Sequence, residues 1–301
     1  MIYLAENEVK MYEELLALLE KRYDNGEIDK ENYVELKERY VQKLDTAKSN
    51  FVEQKEASQI YTAGVKVATD RSLSVAGSTK IVGGRVGKDI RIAGSGKIDN
   101  DVECNNLKSA GSLRSNGNIT AHGDVNTAGS FKCAGFLHGD QDAKFAGSAK
   151  IGLETILRGR IVASGSFSTG GFLQAESGAK FSGSAKIEGN LLSQGVVDVA
   201  GRIIVEGDLV GDDIFINKGR DFLSLRFRNL KKSQIEGHVL GSGEVYLANT
   251  NVEGDVKGLK VEIGPFTSVE GTVYYVDYID VDRRANLENK PMQISHKDLK
   301  L

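Results

Sequence analysis

The sequence predicts a mainly β protein: a triangular β-solenoid of about 18 residues per coil, preceded by a small α-helical hairpin. Three observations carry this reading. Gly-Ser recurs at Gly77, Gly94, Gly111, Gly129, Gly147, Gly165 and Gly183, followed by Gly-Arg at Gly201, in steps of 17 and then 18 residues. A finer step lies inside it: of the nineteen positions taken every sixth residue from 111 to 219, fifteen are glycine, far beyond the overall glycine frequency. Between those glycines apolar and polar residues alternate, the mark of strands with one buried and one wet face.

The N-terminal region has a different period. Leu15, Leu16, Leu19 and Tyr23 lie on one helical stripe, and Tyr33, Leu36, Tyr40 and Leu44 on another. The turn "DNG" at 24–26 separates them, and Asp29 is placed to cap the second helix. A helical hairpin is therefore expected within 1–50. Its stretch "LLEKRYDNGEIDKENYVELKERY" resembles the SHOCT family of two-helix modules, with Gly26, Ile28, Glu31, Tyr33 and Lys37 at the matching positions and Asn32 in place of a usual Glu. The resemblance implies a module that mediates association. Residues 51–74 are polar and weakly periodic, and are read as a linker or an extension of the second helix.

From Val75 the solenoid pattern takes over. Two places after each sixth position stand Leu113, Ile119, Val125, Phe131, Leu137 and their successors as far as Phe215, nearly all apolar. Glycine suits the bends between the six-residue sides, where a Cβ would obstruct the turn or the packing. Gly111, Gly129, Gly147, Gly165, Gly183 and Gly201 are the predicted structural corners. On the side that follows them, Phe131, Ala149, Phe167 and Ala185 alternate with Cys133, Ile151, Thr169 and Ile187, large above small. This two-coil unit is repeated: residues 128–151 and 164–187 share fourteen identities in twenty-four positions.

The register breaks after Gly219, and residues 221–232, "DFLSLRFRNLKK", are read as an insertion leaving the solenoid. The motif seen as "IEGNL" at 187 and "VEGDL" at 205 returns as "IEGHV" at 235, "VEGDV" at 252 and "VEGTV" at 269, so 17-residue coils are expected to resume and run to about Val281. Residues 282–301 are assigned to a tail. Roughly eleven coils at about 4.8 Å give a rod on the order of 50 Å long.

Bulk properties narrow the function. With 39 Lys and Arg against 42 Asp and Glu, the chain has no general basic field and no nucleic-acid partner is expected. Cys104 and Cys133 are too few for a disulfide framework and belong to no zinc pattern. Glu6, Glu8, Lys10, Glu13 and Glu14 interrupt any signal-like apolar run, and there is no stretch of eighteen apolar residues, so a cytoplasmic location is expected. A basic outward column of Arg114, Lys132, Lys150 and Lys186 offers contact with acidic lipid or an acidic partner, although ordinary solvation explains it as well. Outward apolar residues at Ile156, Leu192, Ile204, Val210 and Ile216 form a patch that calls for a cover.

An acyltransferase built on hexapeptide repeats is the enzymatic alternative, usually a trimer. Those enzymes place an aliphatic residue before glycine and a histidine in the site; here Ala110, Asn116, His122 and Arg158 precede glycine, and the four histidines show no ligand spacing. They are read as solvated surface residues. No catalytic set and no cofactor are assigned, and no Walker loop is present. A surface adhesin is a third reading, opposed by the missing secretion signal.

The ends of a solenoid expose an unpaired strand ladder and a cut apolar core, which must be capped or joined to another molecule. Val75, Ile81 and Val86 at the start, and Val273, Tyr275 and Ile279 in "VYYVDYIDV", are the candidate assembly faces, with the chain itself as the expected partner. The glycine-punctuated coils and the Ile/Val-Glu-Gly-x-Val/Leu motifs over 75–281 resemble the bactofilins, polymer-forming cytoskeletal proteins. The resemblance implies nonpolar filaments joined through β-helix ends without nucleotide, scaffolding other proteins at a membrane surface. More coils than is typical, the hairpin and the insertion depart from that family's pattern.

Overall fold

Strict two-residue alternation with a bend every sixth residue lets a strand pair only with the one a full coil away, because its sequence neighbour has turned the corner. The computed structural model, which describes residues 12, 16–17, 19–21, 23–24, 30, 33–34, 36–45, 62–63, 72–219 and 231–299, has this arrangement. The chain forms two units, Met1–Tyr61 and Thr62–Leu301.

In the first unit the described residues at 12–24 and 30–45 are helical. Tyr23 stacks on Tyr33 at 4.2 Å between ring centroids, and Lys37 Nζ reaches Glu20 at 3.0 Å, so the two stretches meet through named pairs. The remaining residues of the expected hairpin, and 51–61 and 64–71 of the expected linker, lie outside the described residues.

The second unit is a parallel β-solenoid of about 12 turns and about 18 residues per coil, each turn contributing three sides. The first side follows the Gly-Ser corner, as in Ser166–Thr169; the second is typified by Leu173–Ala175 and the third by Ala179–Phe181. Pairing registers give the coil lengths directly: Leu73 opposes Ile90 at 17 residues, Val125 opposes Ala143 at 18, and Val239 opposes Val256 at 17.

Low in the rod the third and first sides are one continuous strand, as in Ser72–Ile81, Asp89–Ile98 and Ala143–Ile151, bent at a glycine with positive φ (126° at Gly147). From Gly165 upward the strand breaks and the corner glycines no longer have positive φ. They stay necessary because a Cβ at Gly165, Gly183 or Gly201 would collide with the carbonyl oxygen of the glycine one coil below.

Packing inside follows the predicted alternation of size. Ala149 lies between Phe131 and Phe167, and Ile151 between Cys133 and Thr169. The third side fills the space that Ala149 leaves: Phe145 sits 5.4 Å from Phe131 and 5.7 Å from Phe167, and Phe167 is 5.8 Å from Phe181. The rings thus climb the core as a staircase from alternating sides, which keeps the interior dense without overfilling any level.

The corner residues before the second and third sides have a task that alternation does not reveal. The backbone N–H groups of the coil above point down at them and need acceptors. Asp101 Oδ1 accepts from Asn118 N at 2.7 Å, Asn118 Oδ1 from Phe136 N at 3.1 Å, and Asp208 Oδ1 from His238 N at 2.7 Å. At the other corner Asn106 Oδ1 accepts from Asp124 N at 2.8 Å and Asp142 Oδ1 from Arg160 N at 2.9 Å. These ladders seal the bends where regular strand pairing lapses.

Four expectations are corrected. The solenoid starts at Ser72, not Val75, and Thr62–Ala63 adds an antiparallel strand against Ile81 and Lys80. Phe215, predicted to point inward, faces out, and Ile216, predicted to face out, is buried along with Ile214. The cause is a 17-residue coil in which Val197 opposes Ile214. The expected tail at 282–301 continues the solenoid: Asn286–Leu287 pairs with Ser268–Val269, and Met292–Gln293 with Tyr274 and Tyr275. The insertion at 221–232 falls mostly on residues outside those described, but its flanks rejoin across it, with Val205 opposing Ile235 and Ile214 opposing Val245.

Candidate functional site

The two ends of the solenoid differ. At the start, Val75, Ile81 and Val86 are all buried, Val75 with 8% of its surface exposed. The edge at Lys80 and Ile81 is paired to Thr62–Ala63. These three residues are core of the first coil, and the described strand pairing on its outer edge is that of Lys80 and Ile81.

At the finish, Val273 is fully buried, while Tyr275 and Ile279 are partly buried and packed against the core. The returning chain covers this part: Gln293 Nε2 donates to Val276 O at 2.8 Å, and Ile294 N to Tyr275 O at 2.8 Å. Past Val276 the strand Val273–Val281 has no strand partner on its outer edge among the described residues, and His296 Nε2 lies 3.7 Å from Asp277 Oδ1. Tyr278, Val281 and Met292 are 50%, 38% and 54% exposed, and Leu287, on the first side, is partly exposed. The C-terminal end therefore presents a free strand edge with an apolar rim, and of the residues singled out from sequence only Tyr275 and Ile279 border it. Tyr278 and Met292 were missed: Tyr278 lies at a position the alternation marks as outward, and Met292 in a segment read as a tail.

A polar cluster lies near the other end. His122 bridges two acids from neighbouring coils: its Nε2 is 2.9 Å from Glu103 Oε1 and its Nδ1 is 2.8 Å from Asp140 Oδ2. Arg85 Nε reaches Glu103 Oε1 at 3.1 Å, and Arg158 Nη1 lies 3.5 Å from Asp140 Oδ1. The result is a ladder of alternating charge up one corner. A cavity of about 200 Å³ beside it is lined by Arg85, Gly87, Glu103, Cys104, Asn105 and His122. Hydrogen bonds to Asp140 and then Glu103 raise the His122 pKa above its ordinary value. His122 is exposed, as expected, and also bridges two acids. His138 is half-buried, stacked on Phe136 at 4.0 Å, and burial lowers its pKa. Burial pushes the Cys104 and Cys133 thiols up to about 12, which leaves them inert.

No group of three or more His, Cys, Asp or Glu among the described residues is placed to hold a metal ion. No described helix is long and apolar enough to cross a membrane. Comparison with protein-family models, with curated proteins and with solved structures finds no match to this chain.

Proposed function

We propose that this chain is a structural scaffold element that associates with further copies of itself through the C-terminal end of its solenoid, without nucleotide. One observation carries the reading: the last coil ends in a strand edge over Tyr278–Val281 without a described strand partner, which carries the exposed apolar side chains Tyr278 and Val281, with exposed Met292 on the neighbouring side. An edge of this kind is a template for another strand, and a second copy related by a two-fold axis supplies one in antiparallel sense. A register centred on Ile279 sets Asp277 against Val281 and Asp280 against Tyr278, so no two carboxylates meet. The bactofilin resemblance, with polymers joined through β-helix ends, agrees with this reading.

The acyltransferase alternative draws less support. His122 is the histidine beside a cavity, and both of its ring nitrogens are engaged by carboxylates, which leaves it no free nitrogen to take a proton from a substrate.

Sedimentation velocity and electron microscopy of the purified chain test the proposal. End-joined particles about twice the length of one solenoid are expected, and Tyr278→Glu with Met292→Glu should return them to single length. A wild-type chain that shows no end-joined species, or a variant that joins as before, overturns it.

A further inference from the structure

The first side of the solenoid has an outward column with one residue per coil: Lys80, Lys97, Arg114, Lys132 and Lys150 occupy the first five coils in register. Ser168 and Lys186 follow, and then the column turns neutral: Ile204, Gln234, Asn251, Ser268 and Asn286. Two residues further along the chain, at the corner of the same side, the order of charge is reversed. Coils three to six carry Asn116, Ala134, Gly152 and Gly170, whereas coils seven to twelve carry Glu188, Glu206, Glu236, Glu253, Glu270 and Glu288. Each of these glutamates stands on the rung below it, for example Glu236 N donating to Val205 O at 3.0 Å and Glu253 N to Ile235 O at 3.0 Å. Along these two columns the face is basic in its N-terminal half and acidic in its C-terminal half; Arg202 and Lys232, two residues before Ile204 and Gln234, donate within the chain to Gln234 Oε1 at 3.2 Å and Asn251 Oδ1 at 3.0 Å.

Within the chain these charges are only partly used. Lys80 and Lys97 share Asp99, and Lys186 is held by Glu188 at 2.7 Å and Glu206 at 2.9 Å. Arg114, Lys132 and Lys150 on one half, and Glu236, Glu253, Glu270 and Glu288 on the other, are exposed and make no ion pair among the described residues.

We propose that this face binds a second copy of the chain side by side and antiparallel, with the two-fold axis at the seventh coil, beside Lys186 and Glu188. Counting coils from that axis sets Arg114 opposite Glu270, Lys132 opposite Glu253 and Lys150 opposite Glu236, with Lys97 opposite Glu288, each pair occurring twice. Each column lies over its own copy, so the same register lays Lys150 and Lys132 over the neutral Gln234 and Asn251, and Glu236 and Glu253 over the small Gly152 and Ala134; on the axis Lys186 meets its own copy, where Glu188 and Glu206 neutralise it. The two charged columns stand two residues apart, about 6.6 Å across the face, within the joint reach of a Lys or Arg and a Glu side chain. An overlap of eleven coils is about 48 Å long and, at a width of about 15 Å, offers about 700 Å² per copy, close to the area of an ordinary stable interface. Parallel side-by-side packing, by contrast, sets basic half against basic half. A single straight polyanion, or an acidic membrane, satisfies only the lower half and repels the upper one; a second copy satisfies both.

This surface is separate from the C-terminal end, so the test is made in the Tyr278→Glu/Met292→Glu background, where end joining does not contribute. Sedimentation of that protein at about 50 mM salt is expected to show a dimer whose dissociation constant rises at least about tenfold at about 500 mM salt. Arg114→Glu/Lys132→Glu/Lys150→Glu should be monomeric, as should Glu236→Lys/Glu253→Lys/Glu270→Lys, and mixing the two in equal amounts should restore a dimer. The mixture also shows that each variant is folded. For orientation, Ser184→Cys in the seventh coil should cross-link to its own copy through a short bis-maleimide, and Ser112→Cys in the third coil should not; the native Cys104 and Cys133 are buried and stay silent. A monomer at low salt, self-association of either reversed variant, failure of the mixture, or self-linking through position 112 overturns the proposal.

Discussion

His122 holds Glu103 to its own coil through an Nε2–Oε1 contact of 2.9 Å, and the far side of the same ring takes Asp140 of the next coil. The protonated ring donates to both acids, and the neutral ring to one only. Because the folded pKa is raised, the stabilisation is fully present below the unfolded value of about 6.5 and is lost as pH rises through the folded value. Thermal unfolding of wild type and His122→Gln should therefore differ most below about pH 6.5 and converge as pH rises past the raised folded value. Equal differences in both ranges contradict the bridge. Arg85 and Arg158 are the cations facing the two acids.

Phe145 is the middle step of the aromatic staircase and is 2% exposed. Phe145→Ala removes a ring between Phe131 and Phe167 and should cost about 3–5 kcal/mol in denaturant unfolding. Ala149→Phe adds a ring at the same level, where none fits, and should cost about 1–3 kcal/mol. Ala149→Phe combined with Phe145→Ala should recover part of both losses, since the two residues share one space.

Two glycines of the same corner separate conformation from contact. Gly77 has φ of 99° with open space where a Cβ would stand, so Gly77→Ala should lose only the backbone term of about 1–3 kcal/mol. Gly147 has φ of 126° and a Cβ there also meets Gly129 O, so Gly147→Ala should lose distinctly more. Equal losses in calorimetry or urea unfolding would show that stacking of the corners is not tight.

Truncation after Val281 strips the strands Asn286–Leu287 and Met292–Gln293 from the last rungs. Tyr274 and Tyr275 then lose their ladder partners. The truncated chain should melt earlier, bind more of a hydrophobic dye and associate less selectively than the full one. A truncated chain indistinguishable in all three would mean that 286–293 adds nothing to the cap.

Much of this was legible in the residues. The inward ladder from Leu113 to Leu209 follows from period two and the sixth-residue glycines, and the large-small exchange at Phe131, Ala149, Phe167 and Ala185 is the exchange found in the core. It failed where the pattern is degenerate. Ile214, Phe215 and Ile216 are all apolar, so nothing local says that Asp213 turns the corner one residue early. How the ends are finished is hidden for a related reason. Val75, Ile81 and Val86 look like an open end only while Thr62–Ala63 has no known partner, and Tyr278 and Met292 become a rim only once 286–293 folds back. The basic column was visible at Arg114, Lys132 and Lys150, but the glutamates of "IEGHV", "VEGDV" and "VEGTV" read as motif residues rather than as its counterpart.

By itself the sequence determined the solenoid, its three-sided coil and which side chains line the interior, because each follows from spacings of two, six and eighteen along the chain. Only the tertiary structure decided how the ends are finished, where a coil shortens and which charges share a face. Those depend on contacts between residues separated by 17 to 31 positions, and the backbone hydrogen bonds that set such a register leave no mark on residue type.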